Sequence, residues 1–214
     1  MARAHGPQIK VVALVRNPTD RLWSAFFKHR QFPKQYGDSE AGFVAYFEEQ
    51  SEAYHRCVER YSVRKCVMRF ESLGQGWQEL FYHCDQILKS IYSVFVEEWI
   101  DALGRQALHV ERSEDYFNDL GGRRGVLARV GAFVGLTIDD VLLESMAMPR
   151  TKPGPRSPGF KPSWQMAPEV RARVNKFFAP RNADLGRLLG DDTYADWPVH
   201  RPWTPEGQPH RRKR

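Results

Sequence analysis

Arg16, Arg21 and Ser24 are the residues of this chain best suited to gripping a phosphate monoester. They fall in the stretch Ile9-Lys10-Val11-Val12-Ala13-Leu14-Val15-Arg16-Asn17-Pro18-Thr19-Asp20-Arg21-Leu22-Trp23-Ser24. A guanidinium can donate to two phosphate oxygens at once. Ser24 follows eight residues later, a little over two helical turns, and its hydroxyl could add a third bond. Arg21 is the reserve cation. Taken alone, Arg-Asn-Pro reads more simply as an arginine that merely ends a strand, so the surrounding elements matter.

Ile9, Val11, Val12, Leu14 and Val15 form a nearly continuous apolar run, which predicts a strand buried on both faces of a parallel sheet. Asn17 is a good N-cap, Pro18 suits the first helical position, and Asp20 lies where the helix dipole favours an acid. Arg16 therefore stands at the carboxyl end of a strand, where open α/β sheets bind ligands.

The 214 residues fit one domain with its own core, and 42% hydrophobic with 13% aromatic residues excludes a disordered chain. No apolar run approaches ~18 residues, so no transmembrane segment is expected. The polar start at Met1-Ala2-Arg3 does not read as a signal peptide. Net charge is +6, and four of those charges are Arg211-Arg212-Lys213-Arg214; removing four from six leaves +2 for the rest. A domain over 1–198 followed by a basic, Pro-rich disordered tail over 199–214 is the expected organisation. A basic module that binds nucleic acid through that tail is an alternative, though no specific nucleic acid is expected. Cys57, Cys66 and Cys84 contain no C-x-x-C pair and the seven histidines are scattered, so no metal site is predicted. Cys57 and Cys66 could bridge in an oxidising compartment or remain buried thiols.

Further along, Phe43, Phe47, Tyr54, Cys57 and Tyr61 share one face of a helix expected over about 39–61. A long helix is predicted over about 78–103, and a second strand over 107–111, followed by Ser113-Glu114-Asp115-Tyr116. Glu111, Glu114 and Asp115 read as structural or helix-starting groups. Gly121-Gly122-Arg123-Arg124-Gly125 reads as a loop, then Leu127, Val130, Phe133 and Val134 as an amphipathic helix closed by Gly135. The proline-rich, basic stretch 149–165 reads as a long loop carrying Arg150, Lys152, Arg156 and Lys161. Pro168 opens a helix that Pro180 should break; Asn182 should cap a short last helix ended by Gly190, and from Trp197 onward the chain should be untethered.

The pattern R-N-P-x-x-R-x-x-S, the second strand with S-E-D, Phe133-Val134-Gly135-Leu136, the basic loop and Phe177-Phe178-x-Pro180-x-Asn182-Ala183-x-Leu185 resemble, in this order, the carbohydrate sulfotransferase family of the Golgi. The likeness covers about 9–198. Cys57-x-x-x-Tyr61-Ser62-x-Arg64-x-Cys66, and Ile91-Tyr92 upstream of Trp99, are similar to the N-acetylgalactosamine 4-sulfate 6-O-sulfotransferase type. The resemblance implies an α/β fold of the P-loop NTPase-like sulfotransferase kind, with an incomplete parallel sheet flanked by helices. It implies a Golgi-lumenal enzyme without a metal, moving sulfate from 3′-phosphoadenylyl sulfate to a hydroxyl of a sulfated or acidic, glycosaminoglycan-like glycan. Arg16 and Ser24, with Arg21 and Lys161 behind them, would bind the nucleotide. The oxidising lumen would favour a Cys57–Cys66 disulfide.

Sulfuryl transfer also needs a phosphosulfate-binding lysine and a base for the acceptor hydroxyl. The family carries both upstream of the R-N-P strand, and nothing in Met1–Gln8 matches them. The catalytic residues are therefore unassigned here, and the chain is expected to be most of a sulfotransferase domain without its N-terminal nucleotide loop. The alternative is a non-catalytic remnant that at most binds nucleotide or glycan.

Overall fold

A computed structural model describes residues 9–69, 85–147 and 164–197. Strand β1 (Val11–Val15) and strand β2 (Leu108–Arg112) pair in parallel, with Val11 opposite Leu108 and Val15 opposite Arg112. Parallel strands need a crossover. Here it comprises α1 (Pro18–Lys28), α2 (Gln31–Tyr36), α3 (Glu40–Arg60), α4 (Val63–Met68) and α5 (Tyr92–Leu103). After β2 come α6 (Ser113–Asn118), α7 (Leu120–Val134), α8 (Asp140–Ala147) and α9 (Pro168–Leu189). The chain is thus α/β, mostly helical, with a small parallel sheet flanked by helices.

The main core is aromatic. Phe26, Phe43 and Tyr46 are fully buried between α1 and α3, and Val174 and Phe178 close it from α9. Ring pairs such as Phe26–Phe43, 5.6 Å between centroids, meet edge to face, as the ring quadrupoles favour. Burying one such ring contributes about 1.5–3 kcal/mol. A disulfide joins buried Cys57 at the end of α3 to buried Cys66 of α4, with 6.1 Å between Cα atoms. A second cluster unites Val15, Val96, Leu108, Leu185, Tyr194 and Trp197 beneath the sheet.

Several elements differ from the sequence-based expectation. Strand β1 is not buried on both faces: Val12 and Leu14 are 43% and 54% exposed. Only the Val11–Val15 side packs on the second cluster. The long helix over 78–103 is interrupted, and its part before 85 lies outside the described residues. The Ser90 and Ile91 amides donate three residues back, to Ile87 and Leu88 carbonyls, so the Gln86 carbonyl leaves the ladder. That carbonyl takes the Ser90 hydroxyl and the Arg21 guanidinium instead. The Gly121–Gly125 stretch is helical, inside α7, capped by Asp119, whose carboxylate accepts the Gly122 amide at 2.7 Å. Gly122 packs so closely on the end of α6 that a Cβ would stand 2.3 Å from the Asp115 carbonyl oxygen. Pro180 does not break α9; it sits on the exposed side, where one missing ladder bond costs least, and Asn182 is buried mid-helix rather than capping. Trp197 is buried against Tyr194, so the chain is still anchored there. The 199–214 tail lies outside the described residues. No helix among the described residues is long and apolar enough to cross a membrane.

Candidate phosphate site at the end of strand β1

The junction after Val15 is held from three sides. Asn17 is buried, and its side-chain oxygen accepts the amides of Thr19 at 2.9 Å and Asp20 at 3.4 Å, which satisfies two orphan donors of α1. Its own amide donates to Glu114 Oε1 at 2.8 Å, just beyond the end of β2. Glu114 is itself buried, so this bond to a charged acceptor pins the two strand ends together. From the third side, α9 meets the first turn of α1. The Thr19 hydroxyl donates to Asn175 Oδ1 at 2.6 Å, and Arg171 pairs with Asp20 at 2.8 Å.

Arg16 projects from this fixed point. It is exposed, and no acceptor among the described residues takes its guanidinium. Burial pushes the nearby Tyr92 phenol up to about 12, although the charges of Arg21 and Arg16 pull it down. Ser24 is half-buried, with no hydrogen-bond partner for its hydroxyl among the described residues. Arg21 is differently placed: one terminal nitrogen donates to the Gln86 carbonyl and the Ser90 hydroxyl, both at 3.0 Å. Lys161 and the basic loop through residue 163 lie outside the described residues. Beside the junction runs an apolar groove of about 320 Å³ between Leu14 and Val15 of β1 and Tyr92, Phe95 and Trp99 of α5.

The carboxylates in and just after β2 serve structure. Glu111 is buried and accepts two bonds from Arg129, each 2.7 Å, and one contact from His109 at 2.8 Å. Burial alone would raise its carboxyl; the bonds and charges of Arg129 and His109 outweigh that and hold it below the ordinary range. Asp115 is forked by Arg112 at 2.8 and 2.9 Å. Among the described residues no group of three His, Cys, Asp or Glu could hold a metal ion.

Three partners of the site escape a reading of motifs. Glu114 was visible only as an acid after a strand, and its role depends on β2 lying beside β1. Arg171 and Asn175 carried a fainter signal: they share a helix face with the apolar Val174 and Phe178, an unusual place for an arginine.

No protein-family model matches the chain. It is similar to carbohydrate sulfotransferase 15 of mouse, human and rat, 22% identical over 197 residues in each case. That similarity covers 90% of this chain and 32% of each relative, so the chain spans about a third of their length. A crystal structure of a sulfotransferase from Alicyclobacillus acidocaldarius matches with 23% identity and a TM-score of 0.49, over 86% of this chain and 55% of that one.

Proposed function

We propose that this chain is the part of a sulfotransferase that holds the 3′-phosphate of 3′-phosphoadenylyl sulfate. The observation that carries the proposal is the junction itself: an Arg16 guanidinium at the carboxyl end of a parallel strand and a Ser24 hydroxyl on the helix that follows, neither with a partner among the described residues. The backbone next to Arg16 is tied through Asn17 to Glu114 and to the first turn of α1, so a phosphate would meet an arginine whose main chain is already held. Arg16 would take two phosphate oxygens and Ser24 a third; Arg21, anchored on Gln86, would be the reserve cation, and Lys161 would be a further one.

The acceptor would be a hydroxyl of a sulfated or acidic glycosaminoglycan-like glycan, as in the N-acetylgalactosamine 4-sulfate 6-O-sulfotransferase type, acting in the Golgi lumen. The distant similarity to carbohydrate sulfotransferases supports the sulfate-transfer class. In such a reaction a sugar oxygen attacks sulfur in line and the 3′,5′-bisphosphate leaves. The residues named here would orient the donor by its far phosphate, and the base and phosphosulfate lysine are not among them.

Calorimetric titration with adenosine 3′,5′-bisphosphate tests the proposal. Saturable binding by the wild type should fall at least tenfold in Arg16→Ala, with unfolding temperature unchanged, because an exposed arginine without a partner among the described residues contributes little to stability. Absence of binding by the folded wild type would overturn it.

A further inference from the structure

Arg171 answers to nothing in the sulfotransferase resemblance, yet it meets α1 one turn before Ser24. Its Nη2 pairs with Asp20 Oδ1 at 2.8 Å, and the two side chains are 20% and 13% exposed. Its Nη1 is buried and has no hydrogen-bond partner among the described residues. A buried guanidinium that spends only part of its donors is poor material for a purely stabilising contact, since a desolvated donor left unmet is costly. Asn175, one turn later on α9, holds Thr19, the neighbour of Asp20. The two contacts form a clamp across adjacent residues of α1, and Asp20 and Ser24 lie four apart on one face of that helix. Rotation or sliding of α1 against α9 would therefore move the Ser24 hydroxyl relative to Arg16.

We propose that Arg171 is a positioning residue of the phosphate site: through Asp20 it sets the pose of α1 and hence of Ser24. This rests on the phosphate-site reading above. The expected signature is loss of discrimination for the 3′-phosphate rather than general loss of nucleotide binding, because Arg171 acts through α1 and not on the rest of the ligand.

The test compares adenosine 3′,5′-bisphosphate with adenosine 5′-monophosphate by calorimetry, on wild type, Arg171→Ala, Asp20→Asn and the charge-swapped double variant Asp20→Arg with Arg171→Asp. In both single variants the affinity ratio for the bisphosphate over the monophosphate should drop roughly tenfold, the scale of one hydrogen bond to a charged group. The double variant should recover most of it. Asp20→Asn keeps the shape of the side chain, so it carries the test if Arg171→Ala does not fold. A ratio unchanged in a folded single variant, while wild type discriminates, overturns the positioning role and leaves the phosphate site standing. Loss of the ratio without recovery in a folded double variant also overturns it. A wild type that binds both nucleotides equally removes the phosphate site and the inference with it.

Discussion

Replacing Glu114 by alanine isolates the bond that joins the two strand ends. In the wild type its carboxylate accepts the Asn17 amide at 2.8 Å, and Asn17 is only 3% exposed. Alanine leaves that amide buried with no acceptor, which costs about 1–3 kcal/mol, and removes buried aliphatic surface worth about 0.8 kcal/mol per methylene. The expected loss is about 2–3 kcal/mol. For a chain of this length each kcal/mol moves the midpoint by roughly 2–4 °C, so the melting temperature should fall by about 4–12 °C. Glutamine keeps a carbonyl oxygen in the same place and should cost less than about 1 kcal/mol. Thermal unfolding followed by circular dichroism, with guanidinium midpoints as a check, separates the two. An alanine variant within about 0.5 kcal/mol of wild type would mean that water or another group can satisfy the amide, and that the strand ends are not held as argued.

Reduction of the Cys57–Cys66 disulfide closes no new contact but frees a nine-residue separation in the unfolded chain; it should lower stability by roughly 2–3 kcal/mol, read as a shift of the denaturant midpoint with and without reductant. Gly122→Ala should destabilise by about 1–3 kcal/mol, because its Cβ would press on the Asp115 backbone, whereas at Gly125 a Cβ would stand 3.3 Å from Arg129 Nη1 and Gly125→Ala should change stability by less than about 1 kcal/mol; equal effects would contradict the packing described. Burial raises Tyr92 to about 12 from an unfolded value near 10. A raised phenol favours the folded state while it stays protonated, so this contribution is complete below about pH 10 and is lost as pH climbs from there toward 12. Tyr92→Phe should flatten that alkaline decline in stability; a decline as steep as in wild type would place its origin elsewhere.

Much of the local structure could be read from local chemistry. Asn17-Pro18 starts α1, the α3 stripe of Phe43, Phe47, Tyr54 and Cys57 faces the core, and Gly135 and Gly190 end their helices with positive φ. The failures came where tertiary contacts overrule local preference. Three glycines look like a loop until Asp119 caps them and the Asp115 carbonyl demands a residue without a side chain. Pro180 looks like a helix end, but Phe178 and Leu185 are both buried and hold the two halves of α9 against the core. Arg16 and Ser24 stand out by type and spacing alone, whereas Glu114, Arg171 and Asn175 become visible only once distant segments are brought together. Their signal is spatial, and no window of sequence contains it.

The parallel pairing of β1 with β2 also bears on the order of folding. Asn17 and Glu114, like Val11 and Leu108, are 97 positions apart, with the crossover helices between them. Closing a loop of that length costs on the order of 4 kcal/mol in chain entropy before any strand bond is returned. The α1–α3 core and its disulfide draw on contacts much nearer in sequence and can form first. The phosphate junction is then among the last parts to be completed. Substitutions at Glu114 should accordingly speed unfolding far more than they slow folding, and those in the α1–α3 aromatic cluster should do the reverse.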